Sequence, residues 1–302
     1  MVKVLFLIHD LGAGGAEKVL VNLVNNMDCN QFEIHVTALF GGGINEQFLK
    51  PNIHFHTVWA KEVPGNSKWM KLFSPQQLHK KCVTEHFDIE VSYLEGPSAR
   101  VISGCTDKTT KLVSWIHVEQ HTMKALAASF RNFKEASLCY NAFHQTVCVS
   151  EYVCNDFCSI LSFDKPCTVL YNTVESDKIL TEAFEPVPEF VDDGMTRLVA
   201  VGTLKQPKGY MRLLKIIKRL RDEWYPVHLY VLGIGPLQQE MEAYICQNEL
   251  YKNVTLLGYQ TNPYKYVSKC DMFVCASFAE GFSTAATEAL IVGTPVCTVD
   301  VS

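Results

Sequence analysis

The chain has 302 residues, of which 48% are hydrophobic and 20% charged, with a formal net charge of −5. That composition belongs to a globular protein, the length admits two domains of ordinary size, and the weak negative charge provides no field to gather nucleic acid. The apolar run Val4–Ile8 meets His9-Asp10 at once, too short for a signal-peptide core or a bilayer span, so any membrane contact is expected to be peripheral.

In chain order, short runs rich in Val, Ile, Leu and Phe predict strands at Val2–Ile8, Phe32–Leu39, Ile53–Val58, Ile89–Leu94, Lys111–His117 and Gln145–Val149. Their apolar content is nearly continuous rather than alternating, as burial on both faces requires. Helical spacing separates them, clearest at Ala16–Met27, where Val19, Leu20, Leu23 and Val24 share a face. A second series predicts strands at Leu198–Val201, Val227–Leu232, Val254–Leu257, Met272–Cys275 and Val296–Val299. Helices at Tyr210–Arg221, Leu237–Gln247 and Thr284–Val292 alternate with them.

Such alternation builds doubly wound parallel sheets. The series part at a stretch with Pro186, Pro188, Asp192-Asp193-Gly194 and little apolar periodicity. The expectation is two Rossmann-like α/β domains, 1–172 and 196–302, joined by a linker at 173–195 and facing each other across a cleft.

The 12 cysteines contain no Cys-x-x-Cys pair, and several, such as Cys148 and Cys275, sit inside apolar strand patterns. They read as buried, reduced thiols, which suits a cytoplasmic location. Cys154 and Cys158 lie four apart on a predicted helix, which alone makes no metal site.

Three loops at strand ends can meet an anion. Gly12-Ala13-Gly14-Gly15-Ala16-Glu17-Lys18 follows the first strand, and its glycines and the next helix start favour a phosphate. Glu17 stands where the nicotinamide fingerprint needs a third glycine, and a plain strand-to-helix turn also accounts for the loop. Gly202-Thr203-Leu204-Lys205-Gln206-Pro207-Lys208-Gly209 offers a lysine as a point charge, or simply a solvated polar loop. Gly233-Ile234-Gly235-Pro236 is a tight turn into a helix.

The segment Glu280-Gly281-Phe282-Ser283-Thr284 through Glu288 carries the most information. Ser283 is a suitable N-cap, Glu280 falls in the loop before the helix, and Glu288 falls about one and a half turns inside it. Free amides between two carboxylates suit a nucleotide sugar: one acid for sugar hydroxyls, the amides for diphosphate, the other acid for ribose. An exposed glutamate pair on a capped helix is the plainer account.

His117 closes the run Leu112–Ile116 at the carboxyl edge of the first sheet. His117 and His121 superficially resemble a zinc helix, but that pattern requires Glu directly after the first His, where Val118 stands; no metal is expected.

The whole chain resembles the retaining glycosyltransferases of family 4, with GT-B architecture. The resemblance is carried by Gly12–Lys18, Trp115-Ile116-His117, Val169–Val174, Gly202–Gly209, Gly233-Ile234-Gly235, and Glu280-Gly281-Phe282 with Glu288. Val91–Gly96 is similar to bacterial members that build surface polysaccharides. The resemblance implies that Glu280 holds donor-sugar hydroxyls and Glu288 the ribose. It implies that Lys208 and the amides near Gly281, Phe282, Ser283 and Thr284 stabilise the departing diphosphate in place of a metal. Gly14 and Gly15 would close on that diphosphate, and His117 would lie near donor sugar and acceptor. The implied reaction takes a UDP- or GDP-sugar to a glycan or lipid-linked acceptor, with retention and no cofactor.

Two departures matter. Thr203 stands where the family usually has an arginine after Gly202; Lys205 is the candidate substitute, though it lacks the guanidinium fork. The chain also ends right after a strand, so a truncated second domain is expected, with a catalytically silent nucleotide-sugar-binding module as an alternative function and a nucleotide-sugar epimerase as another. Lys68-Trp69-Met70-Lys71-Leu72-Phe73 with Lys80-Lys81 could rest on the anionic inner face of a membrane; a half-buried helix with solvated lysines explains them as well.

Overall fold

Strand residues in the first half of the chain are buried on both faces, and they pair side by side in parallel. In the computed structural model, which describes residues 1–62, 65–161, 165, 167–187, 190 and 194–300, the chain divides into two units, Met1–Thr173 and Val174–Ser302.

The first unit runs β1 (Val2–Ile8), α1 (Gly15–Asn26), β2 (Phe32–Phe40), β3 (His54–Trp59), α2 (Asn66–Met70), α3 (Pro75–Cys82), β4 (Ile89–Ser92) and α4 (Pro97–Ile102). It continues with β5 (Lys111–Ile116), α5 (Met123–Leu126), α6 (Phe133–Ala142), β6 (Gln145–Cys148), α7 (Glu151–Leu161) and β7 (Cys167–Val169). The sheet has seven strands in the order β3-β2-β1-β4-β5-β6-β7, all parallel. β7 was not expected as a strand: it has three residues, lies at the sheet edge, and exposes Thr168 between half-buried neighbours, so it lacks the continuous apolar signal of the inner strands.

The second unit runs α8 (Ser176–Ala183), β8 (Thr196–Val201), α9 (Tyr210–Asp222), β9 (Val227–Leu232), α10 (Gln238–Gln247), β10 (Val254–Gly258), α11 (Tyr264–Val267), β11 (Met272–Cys275), α12 (Thr284–Ile291) and β12 (Val296–Thr298). Its parallel sheet has the order β10-β9-β8-β11-β12. Helix α8 lies inside the stretch expected as a linker. It forms because Ile179 and Ala183, one turn apart, pack against Tyr264; two buried residues are too few to show as periodicity. Pro188 and Asp192-Asp193 of the expected linker, and Val301-Ser302 at the end, lie outside the described residues.

Both sheets reverse strand order at one place, between β1 and β4 in the first unit and between β8 and β11 in the second. At such a switch point neighbouring connections depart to opposite faces, leaving a crevice beyond the carboxyl ends of the strands. The sheet faces on either side are sealed by helices. α9, for example, buries Tyr210, Leu213, Leu214 and Ile217, each contributing about 1.5–3 kcal/mol of burial.

One buried cation organises the periphery of the first unit. Arg100 on α4 is 1% exposed. Its Nη1 donates to the Met70 carbonyl at 2.8 Å, its Nη2 to the Phe73 carbonyl at 2.7 Å, and its Nε and Nη2 to the two carboxylate oxygens of Glu135 on α6 at 3.2 and 3.0 Å. The segment Lys68–Phe73 is therefore anchored: Met70 is buried and Trp69 packs edge-on against Trp59, while Leu72 and Phe73 are exposed. Among the described residues no helix is long and apolar enough to cross a membrane.

Candidate active site

In the second unit the polar residues gather at the switch point. The chain leaves β8 at Gly202, makes a short 3₁₀ turn at Gln206–Lys208, and enters α9 through Gly209. Gly209 has φ of +68°, and a Cβ there would stand 1.9 Å from the Ala276 carbonyl oxygen beyond β11. The bare backbone is what lets the two loops touch. Gly233, with φ of +144°, likewise passes so close to Gly202 that a Cβ would lie 2.0 Å from its carbonyl oxygen.

This close approach brings Lys208 onto Glu280, 72 positions later. Lys208 Nζ donates to both carboxylate oxygens at 2.7 Å, and Ser277 Oγ donates to Oε1 at 2.6 Å. The Lys208 side chain remains about a third exposed and that of Glu280 is mostly covered, so the ammonium can still face a ligand. Arg212 on α9 donates to the carbonyls of Ala276 and Ser277 and lies over the Phe278 ring at 4.4 Å, fixing the loop that carries Ser277 and Glu280.

Ser283 caps α12, its Oγ accepting from the Ala286 amide. Glu288 lies inside the helix and is buried, its Oε1 accepting from the Tyr264 hydroxyl at 3.3 Å. Burial, then the neighbouring Glu288 carboxylate, raises the Tyr264 hydroxyl well above its ordinary pKa, so it stays a donor. The predicted donor-binding residues divide as follows. Lys208 and Glu280 are in contact; Gly281, Phe282, Ser283 and Thr284 form the entry to α12; and Gly202 supports the turn, its carbonyl accepting from Tyr210. The Thr284 amide donates to the Phe282 carbonyl at 3.0 Å. Lys205 is exposed at the start of the 3₁₀ turn and lies outside the Lys208–Glu280 pair.

The first unit has its own polar cluster at its switch point. The Gly12 loop is braced from two sides: Asp10 accepts from the Gly12 amide at 2.7 Å and from His9 at 2.6 Å, and Asn45, which follows β2, donates to the Gly12 carbonyl. Gly14 caps α1 and Gly15 is its first residue. Beyond β4 and β5, the His117 amide donates to Glu95 Oε2 at 3.0 Å. The rings of Tyr93 and His117 lie 4.8 Å apart, and those of Tyr93 and Trp115 5.0 Å apart.

Three buried polar atoms in this cluster, Tyr93 Oη, Trp115 Nε1 and His117 Nε2, have no hydrogen-bond partner among the described residues. Buried groups of this kind are costly unless a ligand or water completes them. His117 to His121 is not helical, and His121 is exposed with φ of +58°, so the two histidines do not share a helix face.

Burial lowers the His117 pKa from 6.5 to about 3, against a hydrogen bond to the Tyr93 backbone that favours the charged ring. His117 is thus neutral at physiological pH, with Nε2 free to accept. Its folded pKa lies below its unfolded one, so the unfolded chain binds more protons between those values and stability falls as pH drops through that window. His117→Gln is expected to flatten the loss of stability between pH 7 and pH 5 by about 2 kcal/mol. Urea unfolding at the two pH values checks this; an unchanged difference would refute the buried neutral histidine.

Sequence reasoning missed Ser277, Arg212 and Tyr264. Only Ser277 left a local sign, three residues before Glu280 at the end of a strand; the others lie on separate helices.

With this geometry in place, comparisons with known proteins are informative. Residues 13–178 match the family model described as Glycosyltransferase Family 4, and residues 183–302 the one described as Glycosyl transferases group 1. A Campylobacter jejuni protein, N-acetylgalactosamine-N,N'-diacetylbacillosaminyl-diphospho-undecaprenol 4-alpha-N-acetylgalactosaminyltransferase, is 29% identical over 299 residues, covering 96% of this chain and 78% of that one. Among solved structures, Anabaena HepE in complex with UDP and glucose superposes with a TM-score of 0.76 at 17% identity, over 100% of this chain and 82% of that chain. A Staphylococcus aureus TarM complex containing UDP and alpha-GlcNAc-glycerol gives 0.72 at 13% identity, over 100% and 86%. The two parallel-sheet α/β units match this fold class.

Proposed function

Because the chain belongs to glycosyltransferase family 4 and is a glycosyltransferase of GT-B type, we propose that it moves a hexose from a UDP- or GDP-linked donor to a glycan or lipid-linked acceptor. The transfer proceeds with retention of anomeric configuration and without a catalytic metal. The observation that carries this reading is the Lys208–Glu280 pair at the switch point of the second sheet. A donor places a hydroxyl-rich sugar one bond from an anionic diphosphate, and an acid touching a lysine matches that pattern of acceptor beside cation.

In this mechanism Glu280 accepts from the sugar hydroxyls, while Lys208 and the amides of Gly281, Phe282 and Ser283 at the start of α12 receive the diphosphate. The helix dipole there favours the negative charge that grows as the bond to the anomeric carbon breaks. Thr284 contributes its side chain, since its amide is already bonded to Phe282. Glu288 accepts from the ribose hydroxyls. Lys205, exposed on the same loop, adds positive charge where Thr203 supplies none, and Gly202 keeps the turn compact. In the first unit, Gly14, over which the Glu17 carboxylate lies, and Gly15 at the start of α1 are assigned to contact with an anion, and neutral His117 to accepting from a sugar hydroxyl through Nε2. The acceptor hydroxyl attacks the anomeric carbon on the face the leaving group departs from, and its proton passes to the departing phosphate oxygen, with no covalent intermediate.

Two features support a bacterial surface-polysaccharide role at the cytoplasmic face of a membrane. The Campylobacter jejuni relative is named for a diphospho-undecaprenol substrate, and exposed Leu72 and Phe73 next to Lys68 and Lys71 offer an interfacial contact.

The test is a thermal-shift screen of the chain against UDP, GDP, ADP and their sugars without added divalent metal. A selective rise is expected for one base, because a ligand that binds only the folded state stabilises it. Glu288→Ala is expected to abolish that rise. Folded protein showing no shift with any nucleotide would overturn the proposal.

A further inference from the structure

Four cysteines that are scattered in sequence converge beside the edge of the first sheet. Cys148 ends β6 and is fully buried; Cys154 and Cys158 lie one turn apart on α7; Cys167 opens β7. The parallel register pairs Thr146 with Cys167 and Cys148 with Val169, so Cys148 and Cys167 point to the same face of the sheet. Helix α7 packs on β6 and β7, and its two cysteines, spaced by one turn, meet the two from the strands.

The Sγ atoms of Cys148, Cys154 and Cys167 lie within 4.8 Å of one another. Cys158 Sγ is 3.2 Å from Cys167 Sγ, and Cys158 also meets Cys154. Zinc bound by four thiolates at about 2.3 Å holds its sulfurs about 3.8 Å apart. The 4.8 Å limit on Cys148, Cys154 and Cys167 admits that spacing, whereas Cys158 lies outside their mutual group and adjoins it through Cys167, so completing a tetrahedron requires the Cys158 side chain to turn inward.

We propose that Cys148, Cys154, Cys158 and Cys167 form a structural zinc site of the Cys₄ type. An all-thiolate set selects a soft, tetrahedral ion and rejects magnesium and calcium, which take oxygen ligands. The site ties the three-residue edge strand β7, and through it the end of the first unit, to α7 and to the fully buried end of β6. Its role is distinct from sugar transfer: all four ligands are in the first unit, and none belongs to the Lys208, Glu280 and Glu288 set. A disulfide between Cys158 and Cys167 uses only one pair and leaves Cys148 and Cys154 unaccounted for, whereas a metal employs all four.

The test uses the full chain, purified under reducing conditions, with zinc measured by elemental analysis and cobalt(II) as a spectroscopic probe. About one zinc per chain is expected, and cobalt is expected to give thiolate-to-metal charge-transfer bands and intense tetrahedral d–d bands. Cys154→Ser and Cys158→Ser are each expected to weaken zinc binding at least tenfold, while Cys246→Ser, an exposed cysteine outside the cluster, is expected to leave it unchanged. The wild-type cobalt titration needs no variant to fold. Folded, reduced wild-type protein that retains no zinc and gives no cobalt bands would overturn the site. So would zinc content that survives the Cys154→Ser/Cys167→Ser double substitution, or recovery of Cys158 and Cys167 as a disulfide from reduced protein.

Discussion

Replacing Glu280 with Gln is expected to lower sugar transfer by about 10²–10³-fold, because one preorganised group aimed at the charge developing on the reacting sugar is lost. Nucleotide binding is expected to respond in the opposite sense. In the structure Lys208 is held by both oxygens of Glu280; weakening that hold releases the ammonium toward a phosphate, so UDP or GDP binds as tightly as before or more tightly. Lys208→Ala is expected to reduce nucleotide affinity about 10–100-fold, since hydrogen bonds to charged groups are worth about 1.5–3 kcal/mol. The two substitutions thus separate chemistry from binding. Calorimetric titration with nucleotide, alongside turnover with a competent acceptor, reads both. Full turnover in Glu280→Gln, or unchanged nucleotide affinity in Lys208→Ala, would remove the pair from the mechanism.

The second large effect concerns stability. Arg100→Met is expected to destabilise the first unit by about 3–5 kcal/mol, the usual consequence of stripping one partner from a buried ion pair. Burial by itself would push the Glu135 carboxyl up, but the bonds from Arg100 and the Arg131 amide outweigh it and hold the group below its ordinary value. Without the guanidinium, Glu135 keeps its burial and the Arg131 amide but loses both Arg100 bonds, and the Met70 and Phe73 carbonyls lose the guanidinium donors. Arg100→Met with Glu135→Leu is expected to recover much of the loss, because two apolar groups leave no uncompensated charge. Urea midpoints of the single and double variants check this. A single variant within about 1 kcal/mol of wild type would show that the network is dispensable.

Much of the architecture was legible in the sequence because it rests on local regularities. Continuous apolar runs announced β1, β9 and β11 with their observed limits, and Ser283 marked the start of α12 because capping is decided by neighbouring residues. That Lys208 and Glu280 both follow strand ends was also readable, since loops that follow parallel strands all emerge at the same sheet edge.

The sequence by itself determined the class of the fold, the sheet edge at which the strand-end loops gather, and the residue types present there. Only the tertiary structure decided which of those residues touch. The Lys208–Glu280 pair depends on the close approach of Gly209 to Ala276, and the Glu288–Tyr264 pair on the packing of α11 against α12. No local pattern singles out Arg100; its partners on α2 and α6 meet it only in the fold. Cys154 and Cys158 alone were no metal site; a strand on each side supplied the other two sulfurs. The physical reason is common to all four cases. Spacing along the chain fixes periodicity and caps within a few residues, whereas pairing across tens of residues is fixed by strand order and by which backbones are bare enough to approach.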